Sequence, residues 1–452
     1  MPTIALLGTC DTKLPELLYL RSQILSQAPP HSTTVFLIDV GRRVISHPAI
    51  DMPPSDLLTL YGHPIDDPED MYAIQQLPRN ELVEVMSRLA TRAIKFLYSH
   101  TERHARDPQG NEMGIHAIIS LGGSNATAVA TPVMRNAVPI GFPKLMVSTV
   151  ASGDTGPYVG EADITMMYSV VDVAGLNEVL RSVLSNAAGA VVGMARAYEE
   201  RMAEKEQKEK EGDGGRGKKK VKVGITMFGV TTPGVDAIRQ YLEEKYPVVE
   251  TLVFHATGHG GKAMERLVRE GELDAVIDLT TTELADELVG GVMSAGPDRM
   301  RAAVEKKIPY IVSLGALDMV NFGPRETVPE RFRKDHGRKL YEHNPTVTLL
   351  RTSAEECTEI GRRMCERLRN GGDPRRIQVW IPKGGLSMLS VRRAPFEDRY
   401  CDDFLFRAVH NGLEGTGILV KDDQRDVNDK GFAHDVAEAM ATLLELSSHQ
   451  QS

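Results

Sequence analysis

Cysteine is scarce: Cys10, Cys357, Cys365 and Cys401 are scattered over 452 residues without CxxC or CxxH spacing. Neither a disulfide framework nor a structural zinc site is indicated, and a reducing, cytoplasmic compartment is expected. Long apolar runs are missing as well, since none approaches the roughly 18 residues of a membrane span. The N-terminus lacks a basic stretch, and its apolar run breaks at Gly8 and Asp11. The chain therefore reads as soluble, with no membrane partner. Positive charge is not in excess either: the formal net charge is −9 and the pI is near 5.9. General nucleic-acid binding is not expected, because it rests on clustered Lys and Arg. Two phosphate-binding signatures are absent too. Neither Gly8 nor Gly122 opens a full GxGxxG, and HATGHGGK departs from Walker spacing at Ala256 and at Ala263 after the Lys.

What is present is a repeated grammar of short apolar run, small polar loop and helix. In VGITMFGVTTPGVD the apolar run of Val223, Ile225, Met227 and Phe228 stops at Gly229, and Thr231 and Thr232 precede Pro233. Hydroxyl residues followed by Pro mark a helix start. The same pattern recurs at Ile4–Leu18, Ile118–Met134, Leu252–Val268, Val276–Leu288 and Ile311–Val320. Repeated strand-loop-helix units predict an α/β fold with mainly parallel sheets, in which ligand loops sit at the strand C-terminal ends. The length suits two domains. EERMAEKEQKEKEGDGGRGKKK begins as the charged end of a helix and becomes Gly-rich and basic. Such a composition cannot bury apolar surface, so the expected layout is a domain at 1–198, a charged linker at 199–220, a second domain at 221–446 and a disordered tail at 447–452.

In the first half, Gly8-Thr9-Cys10-Asp11-Thr12-Lys13 is the exit loop of the first strand. Asp39 ends the second strand, where a nucleotide ribose is often held, or where an acid caps a turn. Val44–Gln76 is Pro-rich and irregular, a length usually functional or mobile, and Leu77–Leu97 has helical periodicity. Gly122-Gly123-Ser124-Asn125-Ala126-Thr127 opens a helix and is a candidate anion cradle; alternatively, Ser124 or Asn125 is an N-cap. Ser152 and Gly153 lie in a further small, hydroxyl-rich loop.

In the second half, His255, His259 and Lys262 share one loop. The histidines are candidate substrate binders or helix caps, with metal ligation the weaker alternative, and no metal ligands are assigned. Thr280 and Glu283 have capping-box spacing, while the three successive hydroxyls of Thr280, Thr281 and Thr282 at a strand end would suit an oxygen-rich ligand. Asp318 and Asn321 sit in an apolar loop, Gly315–Gly323, where acid/base and turn-bonding roles both stand.

The runs GTCDTK, LGGSNAT, PKLMVSTVASG, ITMFGVTTPGV, VFHATGHGGKAME, LTTTELADELVGGVM and IPYIVSLGALDMVNFGP closely resemble the Tm-one-like ATP-binding domain family over essentially the whole chain. The resemblance implies two Rossmann-like domains, a homodimer, and ATP, with Mg²⁺, on the first domain at Gly8–Lys13, Gly122–Thr127 and Ser152–Gly153. Antiviral inhibition by the family's plant namesake is not carried over, because partner surfaces diverge faster than ligand loops. An alternative expectation is an enzyme acting on a small anionic metabolite in an interdomain cleft. Lys262 would hold the anion, with His255 or Asp318 as general acid/base and His259, Glu283 and Asn321 nearby. A further alternative is an interaction module with ATP as a structural ligand.

Overall fold

The computed structural model describes residues 1–29, 32–102, 114–210, 220–335 and 337–446. The chain divides into two compact units, the first ending at Arg216.

In the first unit, strands β1 (Thr3–Gly8), β2 (Thr34–Asp39), β3 (Ala117–Gly122), β4 (Lys144–Ser148) and β5 (Thr165–Tyr168) form a parallel sheet in the order β2-β1-β3-β4-β5. Alternation along each strand explains why it is covered on both faces. Ile4 and Leu6 of β1, Ile119 and Leu121 of β3, and Leu145 and Val147 of β4 pack with Leu17, Leu20, Leu184 and Val191 of helices Cys10–Gln27 and Glu178–Lys210. Ala5, Leu7, Ile118 and Met146 point the other way, onto Met86, Leu89, Val129 and Val133 of helices Arg79–Glu102 and Ser124–Asn136.

The chain thus leaves β1 toward one face and β3 toward the other. These two strands are neighbours, so a crevice must open between their carboxyl ends; it is the switch point of this strand order. The Pro-rich stretch expected to be irregular carries two short helices, Pro54–Tyr61 and Met71–Gln76. Of the expected linker, residues 199–210 continue the helix Glu178–Lys210. Its Gly-rich part at 211–219 and the tail at 447–452 lie outside the described residues.

In the second unit, β6 (Val221–Met227), β7 (Val249–His255), β8 (Ala275–Thr280) and β9 (Tyr310–Gly315) are followed by β10 (Met319–Phe322), β11 (Leu340–Asn344) and β12 (Val347–Arg351). Strands β13 (Ile377–Pro382) and β14 (Leu419–Asp423) complete the set. Six strands make a parallel sheet, β14-β13-β9-β8-β6-β7, and β10-β12-β11 form a small antiparallel one. The fold is therefore α/β with two mainly parallel sheets. The small sheet corrects the expectation of a loop after Gly315: Met319 and Val320 pair with Arg351 and Leu350, and all four residues of β10 are buried. No helix among the described residues is long and apolar enough to cross a membrane.

Candidate functional site

A cavity of about 680 Å³ lies at the β1/β3 switch point of the first unit, within the range of roughly 300–1,000 Å³ usual for small-molecule sites. It gathers loops distant in sequence: Thr9, Asp11, Thr12 and Lys13 after β1, and Gly122 to Ala126 after β3. Two helices begin at this crevice, with Thr9 and Gly123 at the cap positions, and neither cap residue bonds a first-turn N–H through its side chain. At the first helix, Cys10 N–H goes to Asp39 Oδ1 and the Thr12 and Lys13 N–H groups go to Thr9 O, so the start at Ser124 is the more open of the two. Ser124 is the first helical residue, so neither it nor Asn125 is the cap. N–H groups at an uncapped helix start, together with the helix dipole, favour an anion.

The glycines separate into two kinds. A side chain on Gly8 would place its Cβ 2.3 Å from Leu17 Cδ2, so Gly8 serves the packing of the first helix on β1. Gly122 has φ +150° and a built Cβ 2.5 Å from that of Ala126, so it too is demanded by the fold. Gly123 is different: φ is −86°, and its nearest neighbour to an added Cβ is Thr149 Oγ1 at 3.7 Å. The fold leaves that position open on the cavity wall.

Two carboxylates hold the mouth together. Asp11 Oδ2 accepts the backbone N–H groups of Arg42 (3.1 Å) and Arg43 (3.2 Å), while Asp39 Oδ1 accepts those of Cys10 (3.0 Å) and Gly41 (2.8 Å). Asp39 is fully buried and is not on the cavity wall, which corrects its expected place beside a ribose. Burial pushes its carboxyl up to about 6 against the pull of the two N–H groups. The buried Cys10 thiol beside it is raised above the ordinary thiol range, chiefly by burial and then by the Asp39 charge, which disfavours the thiolate. Thr127 is buried behind the cradle, bonding Gly123 O (2.9 Å) and Ser148 Oγ (2.7 Å). Ser152 and Gly153 are exposed and lie off the cavity wall.

The rest of the wall was not foreseen. Arg42 and Arg43 follow β2, Arg79 opens its helix, and Asp172 follows β5; Val40, Leu82, Val83, Met86 and Val129 give an apolar side. Four cations, with Lys13, face two acids, Asp11 and Asp172. The signal available in the sequence was Arg42-Arg43 directly after the strand end at Asp39.

In the second unit, three of the nominated residues are interior. Glu283 Oε1 accepts the N–H groups of Gly258 (2.7 Å) and Gly261 (3.1 Å), and its Oε2 accepts Arg299 Nε–H at 2.6 Å. Arg299, 1% exposed, also donates twice to Asp278 at 2.6 Å and to Glu265 at 3.3 Å; Tyr310 donates its hydroxyl to Asp278 at 2.8 Å. Asn321 gives its amide to Asp286 Oδ2 (2.8 Å) and Thr282 Oγ1 (3.2 Å). Asp318 accepts from Ser387 Oγ at 2.8 Å, and burial raises its pKa. All three side chains are at most 1% exposed. General acid/base work requires reach to a substrate proton, which these groups lack. His255, His259 and Lys262 are exposed, with His255 stacked on Phe228 at 5.7 Å between ring centroids. The successive threonines also turn inward: Thr280 Oγ1 meets Thr231 Oγ1 at 2.7 Å, and Thr281 donates to Ser313 O.

The N-terminal domain model of the "Uncharacterised protein family (UPF0261)" matches residues 2–200, and its C-terminal domain model matches 220–444. A UPF0261 protein of Clostridium tetani is 40% identical over 444 residues, covering 98% of this chain and 99% of its own. One from Mesorhizobium japonicum is 40% identical over 450 residues, covering 99% and 100%. The "ToMV resistance protein Tm-1(GCR237)" of Solanum lycopersicum is 36% identical over 460 residues, covering 99% of this chain but 56% of the tomato protein. A solved UDP-N-acetylglucosamine 2-epimerase from Rickettsia bellii aligns over 69% of this chain and 78% of its own, with 11% identity and a TM-score of 0.20, too loose to say anything about this molecule.

Proposed function

Because the chain belongs to the UPF0261 family, whose relatives include the tomato protein, we propose that its first unit is a nucleotide-binding domain. ATP is the nucleotide implied by the resemblance of its loops, held between the exits of β1 and β3. The observation that carries this reading is the joint wall of the cavity. The helix start at Ser124, whose cap Gly123 has no side chain, and four cations suit a triphosphate, and the apolar row of Leu82, Val83, Met86 and Val129 suits a base. Mg²⁺ typically keeps waters and takes one or two carboxylates plus phosphates. Asp11 and Asp172 are the carboxylates on this wall, and Mg²⁺ would screen the triphosphate from them.

Lys13→Ala and Arg79→Ala should each weaken ATP about tenfold, the low end of a charge-assisted contact, and leave adenosine almost unaffected. Competition against a fluorescent nucleotide checks this. Equal affinity of both variants and the parent for ATP would contradict the phosphate assignment.

A further inference from the structure

A second cavity, of about 470 Å³, lies in the second unit. It sits near the segments that lead into β9 and β13, at the amino edge of the sheet, away from the strand ends where loop ligands gather. Pro297 and Arg301 precede β9, and Arg363, Arg367, Arg369 and Asn370 close helix Ala354–Arg369 ahead of β13. Four guanidiniums share the wall with one carboxylate, Glu366, which is itself bonded outward to Arg362.

Their internal partners leave much donor capacity unspent. Arg367 gives Nη2 to Glu287 at 2.5 Å, yet its Nη1 is buried without a hydrogen-bond partner among the described residues, on a side chain 8% exposed. Arg363 meets Glu359 at 2.9 Å and Glu287 at 3.7 Å. Arg301 spends Nε on Pro297 O at 3.2 Å, and its nearest carboxylate, Asp298, is 4.0 Å away. Arg369 is exposed. Basic residues in the last turn of a helix are ordinarily explained by the dipole. That explains Arg367 and Arg369; it does not bring Arg301 from another element to the same cavity, where like charges repel. Buried guanidinium N–H groups also seek acceptors, and guanidinium forks match phosphate and carboxylate oxygens two at a time.

We propose that this arginine-lined cavity binds a small polyanion with two or more anionic groups, such as a condensed or organic phosphate. The volume exceeds that of a single phosphate, and although Glu287 and Glu359 neutralise part of the charge, the unspent N–H groups sit on separate guanidiniums, Arg301, Arg367 and Arg369, which a ligand with more than one anionic group meets together. The site is independent of the nucleotide cavity, being built wholly from the second unit.

The test is calorimetric titration of the full chain with inorganic pyrophosphate, repeated on R301A/R369A and, separately, on G123V. Saturable binding is expected, at least tenfold weaker in R301A/R369A and retained in G123V. If the first unit also takes pyrophosphate, the arginine pair should remove one molar equivalent and leave the other. Without ligand, R301A/R369A should melt at the parent's temperature or above it, because it relieves repulsion. Absence of saturable binding, binding lost only in G123V, or a melting temperature several degrees lower without ligand would each overturn the proposal; the last would assign these arginines to the fold.

Discussion

Replacing Arg299 with Met should destabilise the second unit by at least about 3–5 kcal/mol, the usual cost of stripping one partner from a buried ion pair. Here one guanidinium serves three carboxylates, Asp278, Glu283 and Glu265, which are 0%, 1% and 4% exposed. Without it, three acids face one another in an apolar interior. Glu265 also accepts the N–H groups of Met300 (2.6 Å) and Ala302 (2.8 Å), so the loop carrying Arg299 is tied to one of the carboxylates left uncompensated. A loss of this size is a large part of the roughly 5–15 kcal/mol that holds a domain folded. The chain's single tryptophan, Trp380, is buried in this unit and reports its urea unfolding by fluorescence. A loss below about 1 kcal/mol, the scale of an exposed pair, would show that the cluster does not hold the unit together.

Asp39→Asn should act in the opposite direction, and only above acidic pH. Burial raises the folded carboxyl from 3.8 to about 6. Between those values the folded chain holds the proton more tightly than the unfolded chain does. Stability therefore falls as pH rises through this window, and the penalty is complete above the folded value. Asparagine keeps the Oδ1 that accepts from Cys10 and Gly41 and carries no charge. At about pH 8 it should therefore be relieved of a penalty of about 3 kcal/mol, because each tenfold difference in proton affinity between folded and unfolded chain is worth about 1.36 kcal/mol. Burying Nδ2 where Oδ2 has no hydrogen-bond partner among the described residues offsets about 1 kcal/mol of it. Near about pH 4 the gain should vanish. Denaturant titrations at the two pH values measure the difference. A variant less stable than the parent at the higher pH would mean that the ionised carboxylate stabilises the loop. Nucleotide affinity should barely change, since Asp39 stands behind the wall.

Short apolar runs, each closed by Gly and Thr punctuation and followed by a helix start, made the strands and their exits readable from the residues, and the length and the charged, Gly-rich stretch at 199–220 marked the two-unit layout. Loops at Thr9–Lys13 and Gly122–Asn125 could be nominated because strand ends are where ligands gather, and both line one cavity. The remaining wall was hidden for a physical reason. Arg42, Arg79, Leu82 and Asp172 come from separate elements whose local patterns are those of ordinary surface and core positions; only strand order brings them together. Glu283, Asp318 and Asn321 misled for a related reason. An acid in a Thr- and Gly-rich loop looks the same whether it faces a substrate or a buried partner, and Arg299, the partner of Glu283, lies sixteen residues further on in a stretch without periodicity. The antiparallel strand at Met319–Phe322 was equally obscure, because its pairing strand begins at Val347.

The most direct measurement of the central claim is calorimetric titration of the whole protein with ATP and Mg²⁺, beside Gly123→Val. A Cβ added at Gly123 meets only Thr149 Oγ1, at 3.7 Å, and valine puts a branched side chain on the cavity wall. Micromolar binding by the parent, lost in a variant that unfolds at the same urea concentration, is the predicted result. ATP bound equally well by the variant, or not at all by the parent, would contradict the assignment of this cavity to a nucleotide.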